Sequence, residues 1–275
     1  MVNFDKFEEQ IFFNTVRIEN LTDKELGTGF LVQVKYDDTR VRHLLFSNKH
    51  VFWGKKDFES KKYLSKDTEK ELQITIHSMS EQGDYSLGNI KNIRIKLKRG
   101  DNGYYENSIH EIDVACINVS EVYNTHKINM RSAVLTDFNN YDLGQIHAGS
   151  KVVFIGYPTG FYDKKHSLPV LRSGYIASIP DVDFNGLPQI LLDAQVFPGS
   201  SGSPVFIQLN GQYKLLGIIN AAQINPLQFI EIPSKEMSIS NDSFVKKIPV
   251  QFIGLGMLFK ISTINDICDQ LPKSN

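Results

Sequence analysis

Short runs of alternating apolar and polar residues recur along the chain of 275 residues, whereas stretches with helical periodicity are scarce. In the first half, such runs predict strands at 27–36, 42–51, 72–79, 92–99 and 112–119. A turn at Asp37, Asp38 and Thr39 would join the first two. After a polar bridge near 120–148, the pattern restarts at 151–158, 168–179, 189–196, 203–222 and 249–261. The chain therefore divides into two β-rich halves, and its strands do not alternate with helices.

Local signals refine three further segments. Asn210-Gly211, in the middle of 203–222, predicts a tight hairpin turn. The segment 54–70 is mostly polar and is interpreted as a solvated insertion in a loop. A short helix is predicted near the C-terminus, where Thr263 and Asp266 resemble a capping box. Its apolar face, at helical spacing, comprises Ile264, Ile267, Cys268 and Leu271.

Composition and charge exclude several classes of partner. Hydrophobic residues make up 41% and charged residues 22% of the chain, which is typical of a globular protein. The net charge of -1 favours neither nucleic acid nor an anionic membrane as a partner. No apolar run is long enough to span a membrane, and the acidic start, MVNFDKFEEQIFF, is unlike a secretory signal. We therefore expect a cytoplasmic protein that binds neither nucleic acid nor membrane.

The two cysteines, Cys116 and Cys268, belong to no CxxC motif and to no cluster with metal-ligand spacing. We expect both to be buried thiols in a reducing compartment. No metal site and no cofactor are predicted.

Two polar residues lie next to apolar strands. His50 follows the apolar run Leu44-Leu45-Phe46. The end of this strand would place its imidazole near the rim of the sheet, where solvent and substrate can reach it. Asp113 opens the apolar run at 112–119, and a carboxylate at the edge of a core needs a partner because an unpaired buried charge is costly. Each residue alone has an ordinary structural explanation, but together they form a candidate acid–imidazole pair.

The stretch FPGSSGSPVF, residues 197–206, combines glycines and serines directly before a strand. A serine nucleophile needs a base within hydrogen-bond reach and convergent N–H donors for the oxyanion. If Ser201 is the nucleophile, Gly199 lets the backbone turn so that the amides of Gly199 and Ser201 point the same way. Gly202 then leaves room for the bound carbonyl. The loop therefore predicts a nucleophile with an oxyanion hole.

Two other interpretations of this loop fail. The elbow of α/β-hydrolases is G-x-S-x-G with the chain order Ser, acid, His, whereas here Ser203 replaces the second glycine and the order is His50, Asp113, Ser201. A phosphate-binding loop would need a lysine and a following helix, but the next residues are β-rich.

Four motifs in this order, GTGFLV, LLFSNKHV, DVACINV and FPGSSGSPVF, resemble those of the trypsin/chymotrypsin-fold serine peptidases. The resemblance spans roughly residues 26–262 and is closest to bacterial trypsin-like and HtrA-type protease domains. It implies an all-β fold of two six-stranded Greek-key β-barrels. Residues 1–125 would carry His50 and Asp113, and residues 126–275 would carry Ser201 and the C-terminal helix.

By this resemblance, His50 would be the general base and then the general acid, Asp113 would orient it, and Ser201 would attack the scissile carbonyl. Digestive members of the family carry an aspartate directly before the nucleophile, which pairs with an N-terminus created by cleavage. Here that position is Ser200, so activation by N-terminal cleavage is not expected. HtrA proteins carry a PDZ domain after the protease, and we expect none here because few residues follow 262.

The same resemblance places the substrate pocket at Gln195 and Val196 and on the strand at Ile218, Ile219 and Asn220. None of these residues is acidic, so the expected preference is for a small or medium apolar side chain. The strand would pair with extended substrate.

The expected function is therefore a serine endopeptidase that acts on a protein or peptide substrate. A regulatory protein partner or the substrate could activate it. Two alternatives stay open at this stage: a conditionally silent binding or regulatory module on the same fold, and an esterase.

Overall fold

A computed structural model describes residues 6–35, 40–65, 67–78, 87, 89–101, 103–128, 141–158, 161–226 and 250–272; within these, only the backbone is described at 221–226 and 250–253. The predicted turn at 37–39 and much of the polar bridge lie outside the described residues.

The first half forms an antiparallel sheet in the order β5-β4-β1-β2-β3-β7-β6, which has the shape of a half-barrel. Its strands are β1 (Thr15–Asn20), β2 (Glu25–Lys35), β3 (Val41–Ser47), β4 (Glu69–His77), β5 (Ile90–Lys98), β6 (Tyr104–Glu106) and β7 (Ala115–Asn118). The count is seven where six were expected, because the short β6 adds to the edge at β7. Helices α1 (Phe7–Asn14), α2 (Lys49–Trp53), α3 (Lys55–Glu59) and α4 (Ser120–His126) surround the sheet.

The second half is a closed six-stranded barrel in the order β10-β13-β12-β11-β8-β9. It consists of β8 (Lys151–Gly156), β9 (Val170–Ile176), β10 (Gln189–Asp193), β11 (Pro204–Leu209), β12 (Gln212–Pro226) and β13 (Val250–Lys260). The predicted hairpin joins β11 to β12, and its tip residues Asn210 and Gly211 both have positive φ, as a type I′ turn requires. The all-β prediction with two barrel-like units is therefore confirmed.

The buried apolar side chains form three clusters. One fills the N-terminal half-barrel and one fills the C-terminal barrel. The third lies between them and draws on both, with Phe46 and Cys116 from the first half and Phe206 and Phe259 from the second. Because this shared core is continuous, the two units are packed as one body.

Helix α5 (Ser262–Asp269) packs Ile264 and Ile267 into the shared core, as its apolar periodicity predicts. The predicted capping box is wrong. Thr263 Oγ1 donates to the Lys260 carbonyl oxygen at 2.8 Å, so its hydroxyl does not cap the helix. Both cysteines are free thiols, but Cys268 is only partly buried.

The polar insertion at 54–70 is more ordered than a solvated loop. It forms α3 and a 3₁₀ turn at Lys62–Leu64. Lys70, only 4% exposed, donates from Nζ to Asp23 at 2.7 Å and to Asp57 at 2.6 Å. Burial lowers the pKa of Lys70, but its hydrogen bonds to the two carboxylates outweigh that effect and raise the pKa overall. Two partners distant in sequence therefore make this burial possible.

Within the described ranges, no helix combines the length and apolarity needed to cross a bilayer. No group of three or more His, Cys, Asp or Glu side chains is arranged to hold a metal ion in those ranges either.

Candidate active site

His50 lies in the short helix α2, three residues after β3 ends at Ser47. Its Nδ1 is 2.5 Å from Asp113 Oδ2, and its backbone N–H donates to Asp113 Oδ1 at 3.1 Å. One carboxylate therefore fixes both the ring and the main chain of His50. Because Nδ1 is committed to Asp113, Nε2 is the atom left to exchange a proton.

The electrostatics of this pair favour a basic imidazole. Burial lowers the pKa of His50, since the His50 side chain is only 18% exposed. The Coulombic attraction and hydrogen bond of Asp113 outweigh that effect and raise the pKa of His50 above its ordinary value. Asp113 is thus the main group that raises the proton affinity of the His50 imidazole.

The segment that carries Asp113 is tied to the start of α2. Asn48 Nδ2 donates to the Asp113 carbonyl oxygen at 2.6 Å. Lys49, 1% exposed, donates from Nζ to the carbonyl oxygens of Asn107 at 2.8 Å and Ile109 at 2.9 Å. Burial lowers the pKa of Lys49. The two residues that directly precede His50 in sequence therefore hold the Asp113 segment in place.

The loop before β11 has the permissive backbone that the sequence predicted. Gly199 has φ +85° and Gly202 has φ +87°, values that favour glycine. A Cβ at Gly202 would lie 1.9 Å from the Thr28 carbonyl oxygen, so only glycine fits there. Gly202 N–H donates to the Ile219 carbonyl oxygen at 2.9 Å, which fixes the loop to β12.

Thr28, on β2, connects this loop to the N-terminal sheet. Its N–H donates to the Ser201 carbonyl oxygen at 2.9 Å, and its Oγ1 donates to the Gly199 carbonyl oxygen at 2.8 Å. The same Oγ1 accepts from Tyr157 N–H at 2.9 Å. The Thr28 carbonyl oxygen accepts from Ser47 Oγ at 2.6 Å, at the end of the strand that leads to His50. The Ser201 loop and the His50 segment are thus joined through one buried threonine.

The Ser201 hydroxyl donates to the Asn220 carbonyl oxygen at 3.0 Å. Within the described residues, it makes no hydrogen bond to His50. The structure therefore brings His50 and Asp113 into direct contact and leaves the Ser201 Oγ engaged with β12.

The amides of Gly199 and Ser201 are the predicted oxyanion donors. Neighbouring amides are used within the loop, since Ser200 N–H donates to Phe197 and Ser203 N–H donates to Ser200, each at 3.0 Å. In the described part of the chain, the amides of Gly199 and Ser201 have no acceptor. These two N–H groups are therefore available to an incoming oxygen.

The predicted pocket residues divide into two groups. Gln195 is exposed and Asn220 is partly exposed, so both can contact a ligand. The side chains of Val196, Ile218 and Ile219 instead lie in the cores, each 3% exposed or less. Sequence reasoning placed them at the pocket because they flank the loop, but Ile218 packs into the core shared by the two units, and Val196 and Ile219 pack into the core of the C-terminal barrel.

Pairing also limits where a substrate strand could add. At Ile218, β12 is bonded to Pro204 on β11 and to Phe259 on β13. Beyond Ile219 the described pairing continues only with β13. The edge available to an extended chain therefore begins at Asn220.

Sequence reasoning missed Thr28, Lys49 and Arg172. Thr28 stands between two glycines in GTGF, a pattern that signals close backbone approach. Lys49 carried no signal, because a lysine beside a polar segment looks solvated. Arg172 is a lone charge in LPVLRSGYI, which could have marked it as a residue with a special environment.

Two packed β units with a histidine–carboxylate pair on one and a glycine-flanked serine loop on the other define the class of chymotrypsin-like hydrolases. Residues 27–218 match the family described as Trypsin-like peptidase domain, and the chain belongs to that family. Membership supports a protease function.

Two solved structures are similar to this chain. Deg5 is 16% identical, with 78% of this chain and 81% of that chain covered and a TM-score of 0.46. Human heparin binding protein is 9% identical, with 97% of this chain and 96% of that chain covered and a TM-score of 0.48. No curated protein matches the sequence.

Proposed function

We propose that this protein is a serine endopeptidase that hydrolyses peptide bonds through an acyl-enzyme, with His50, Asp113 and Ser201 as its triad. The observation that carries the proposal is the contact between Asp113 Oδ2 and His50 Nδ1 at 2.5 Å, which commits one ring nitrogen and leaves Nε2 to act on a proton. Family membership supports the same reaction class.

In this mechanism, His50 Nε2 takes the proton from Ser201 Oγ while that oxygen bonds to the scissile carbonyl carbon. The carbonyl electron pair moves to oxygen, and the amides of Gly199 and Ser201 donate to the resulting oxyanion. His50 then gives its proton to the leaving amine as the C–N bond breaks. Water repeats the sequence on the acyl-enzyme, and Asp113 stabilises the imidazolium in both halves.

One observation supports activation by substrate or a partner. Ser201 Oγ donates to the Asn220 carbonyl oxygen, the first group on the open part of β12. A peptide that pairs with this edge would offer an N–H to the same carbonyl oxygen. The hydroxyl would then be released, and rotation about Cα–Cβ would turn it toward His50. Binding of an extended chain would thereby complete the site.

The proposal is tested by labelling with a fluorophosphonate probe. We expect the parent protein to be labelled and both Ser201→Ala and His50→Ala to lose labelling. Ser173→Ala, at an exposed serine on β9, is the matched control and should be labelled like the parent. Absence of labelling in folded parent protein, with and without added peptide, would contradict the proposal. Cleavage of casein by the labelled protein would distinguish an endopeptidase from an esterase.

A further inference from the structure

A guanidinium lies beneath the segment that leads to Ser201. Arg172, on β9, donates from Nη1 to the Gln195 carbonyl oxygen and from Nη2 to Ser200 Oγ, both at 2.7 Å. Ser200 is fully buried and directly precedes Ser201. One side chain therefore contacts both ends of the segment 195–200.

The surroundings of Arg172 differ from those of an ordinary ion pair. Within the described residues, no carboxylate lies within ion-pair distance of its guanidinium. Its Nε is buried and has no hydrogen-bond partner there. Its charge lies over the rings of Phe154, at 4.7 Å, and Phe197, at 5.5 Å. Cation–π contacts partly compensate for lost solvation, so the charge is kept at a place where burial is unfavourable.

The geometry of the segment 195–200 gives a reason for the Arg172 charge at this position. The segment between the two contacts holds Val196 in the barrel core and then turns at Gly199, whose φ is +85°. The amides proposed to hold the oxyanion, those of Gly199 and Ser201, lie within or next to this segment. A turn that depends on a glycine has alternative backbone conformations, and a planar guanidinium that binds two fixed points restricts them.

We propose that Arg172 is a positioning residue that holds the segment 195–200 in the conformation in which the amides of Gly199 and Ser201 can bind an oxyanion. The inference rests on the proposed function. Arg172 touches no reacting atom and acts through the Gln195 carbonyl oxygen and the Ser200 hydroxyl. A lysine could not replace it, because a single ammonium does not present two parallel donors in a fixed plane.

The test combines amide hydrogen exchange over 195–203 with fluorophosphonate labelling and peptide kinetics. Arg172→Met and Arg172→Lys are compared with the parent. Arg94→Met is the matched control, since Arg94 is an arginine on β5 whose side chain is 70% exposed. We expect faster exchange over 195–203 in both Arg172 variants, a fall of about 10²-fold in labelling rate and kcat, and little change in KM. The control should match the parent in every readout.

The outcomes distinguish this inference from the proposed function. Parent-like exchange and labelling in folded Arg172→Met would overturn the inference. Faster exchange with unchanged labelling would also overturn it, because the residue would then be only structural. If the parent protein is not labelled, that result contradicts the proposed peptidase, and faster exchange over 195–203 in the Arg172 variants would still show that Arg172 holds this segment.

A milder variant covers the case in which Arg172→Met fails to fold. Ser200→Ala removes one acceptor and leaves the Gln195 contact. We expect the same direction of change at a smaller size, with a decrease in labelling rate of several-fold. Unchanged exchange and labelling in Ser200→Ala would count against the inference.

Discussion

Replacing Gly202 by alanine tests how tightly the Ser201 loop is packed against β2. A Cβ at this position would lie 1.9 Å from the Thr28 carbonyl oxygen and 2.4 Å from Ser47 Oγ. The carbonyl oxygen of Thr28 belongs to the main chain, and Thr28 is held by several hydrogen bonds. It therefore cannot move aside as the end of a flexible side chain would. Gly202→Ala therefore forces the loop and β2 apart.

The expected cost has two parts. The positive φ of +87° costs an alanine about 1–2 kcal/mol. Overpacking against fixed backbone adds about 1–3 kcal/mol. Gly211→Ala is the matched control, because Gly211 has φ +78° but its added Cβ would meet nothing within 4 Å. The control variant therefore incurs only the cost of the positive φ. The difference in stability between the two variants gives the cost of the contact with Thr28.

Thermal unfolding measures both variants, with a shift of about 2–4 °C expected per kcal/mol in chains of this size. Gly202→Ala should melt below Gly211→Ala and should also lose fluorophosphonate labelling, whereas Gly211→Ala should retain it. Equal Tm values and equal labelling of the two variants would show that the Ser201 loop does not approach β2 closely. That result would refute the packing described for the site.

Two pH-dependent predictions follow from the histidines. Because Asp113 raises the pKa of His50, Asp113→Asn should move the acid limb of the kcat/KM profile to lower pH and reduce turnover by about 10⁴-fold; a limb that stays in place would contradict the assigned pairing. Burial lowers the pKa of His77, whose Nε2 contacts the His166 carbonyl oxygen at 2.8 Å. The unfolded chain therefore takes up a proton near pH 6.5 before the folded one does, and stability should fall as the pH drops below about 6.5. In His77→Gln, the decrease in Tm between pH 7 and 5 should be smaller, and an equal decrease would assign the acid sensitivity to other groups.

Features encoded by adjacent residues were predictable from the sequence. The Asn210-Gly211 turn follows from the positive φ that both positions require, and α5 follows from the spacing of Ile264 and Ile267. The loop around Gly199 and Gly202 was predictable for the same reason, since the glycines themselves mark the unusual backbone.

Features that depend on distant partners were not predictable. From the sequence, Lys70 is expected to be solvated, because only the folded chain places Asp23 and Asp57 next to it. The predicted capping box does not form, because the Thr263 hydroxyl donates to the Lys260 carbonyl oxygen instead. The inward orientation of Ile218 could not be read from a continuous apolar run, because such a run has no period to indicate which side chains face the core.

The position of Thr28 has a consequence for how the protein is made. His50 and Asp113 emerge from the ribosome well before Ser201 is synthesised. Until then, Thr28 on β2 lacks the loop to which it is hydrogen-bonded in the complete protein. Only when the second barrel has folded and docked do the Gly199 and Ser201 carbonyls reach that threonine. The peptidase proposed above would therefore lack its nucleophile, and the partner loop of Thr28, until the second half of the chain has been made.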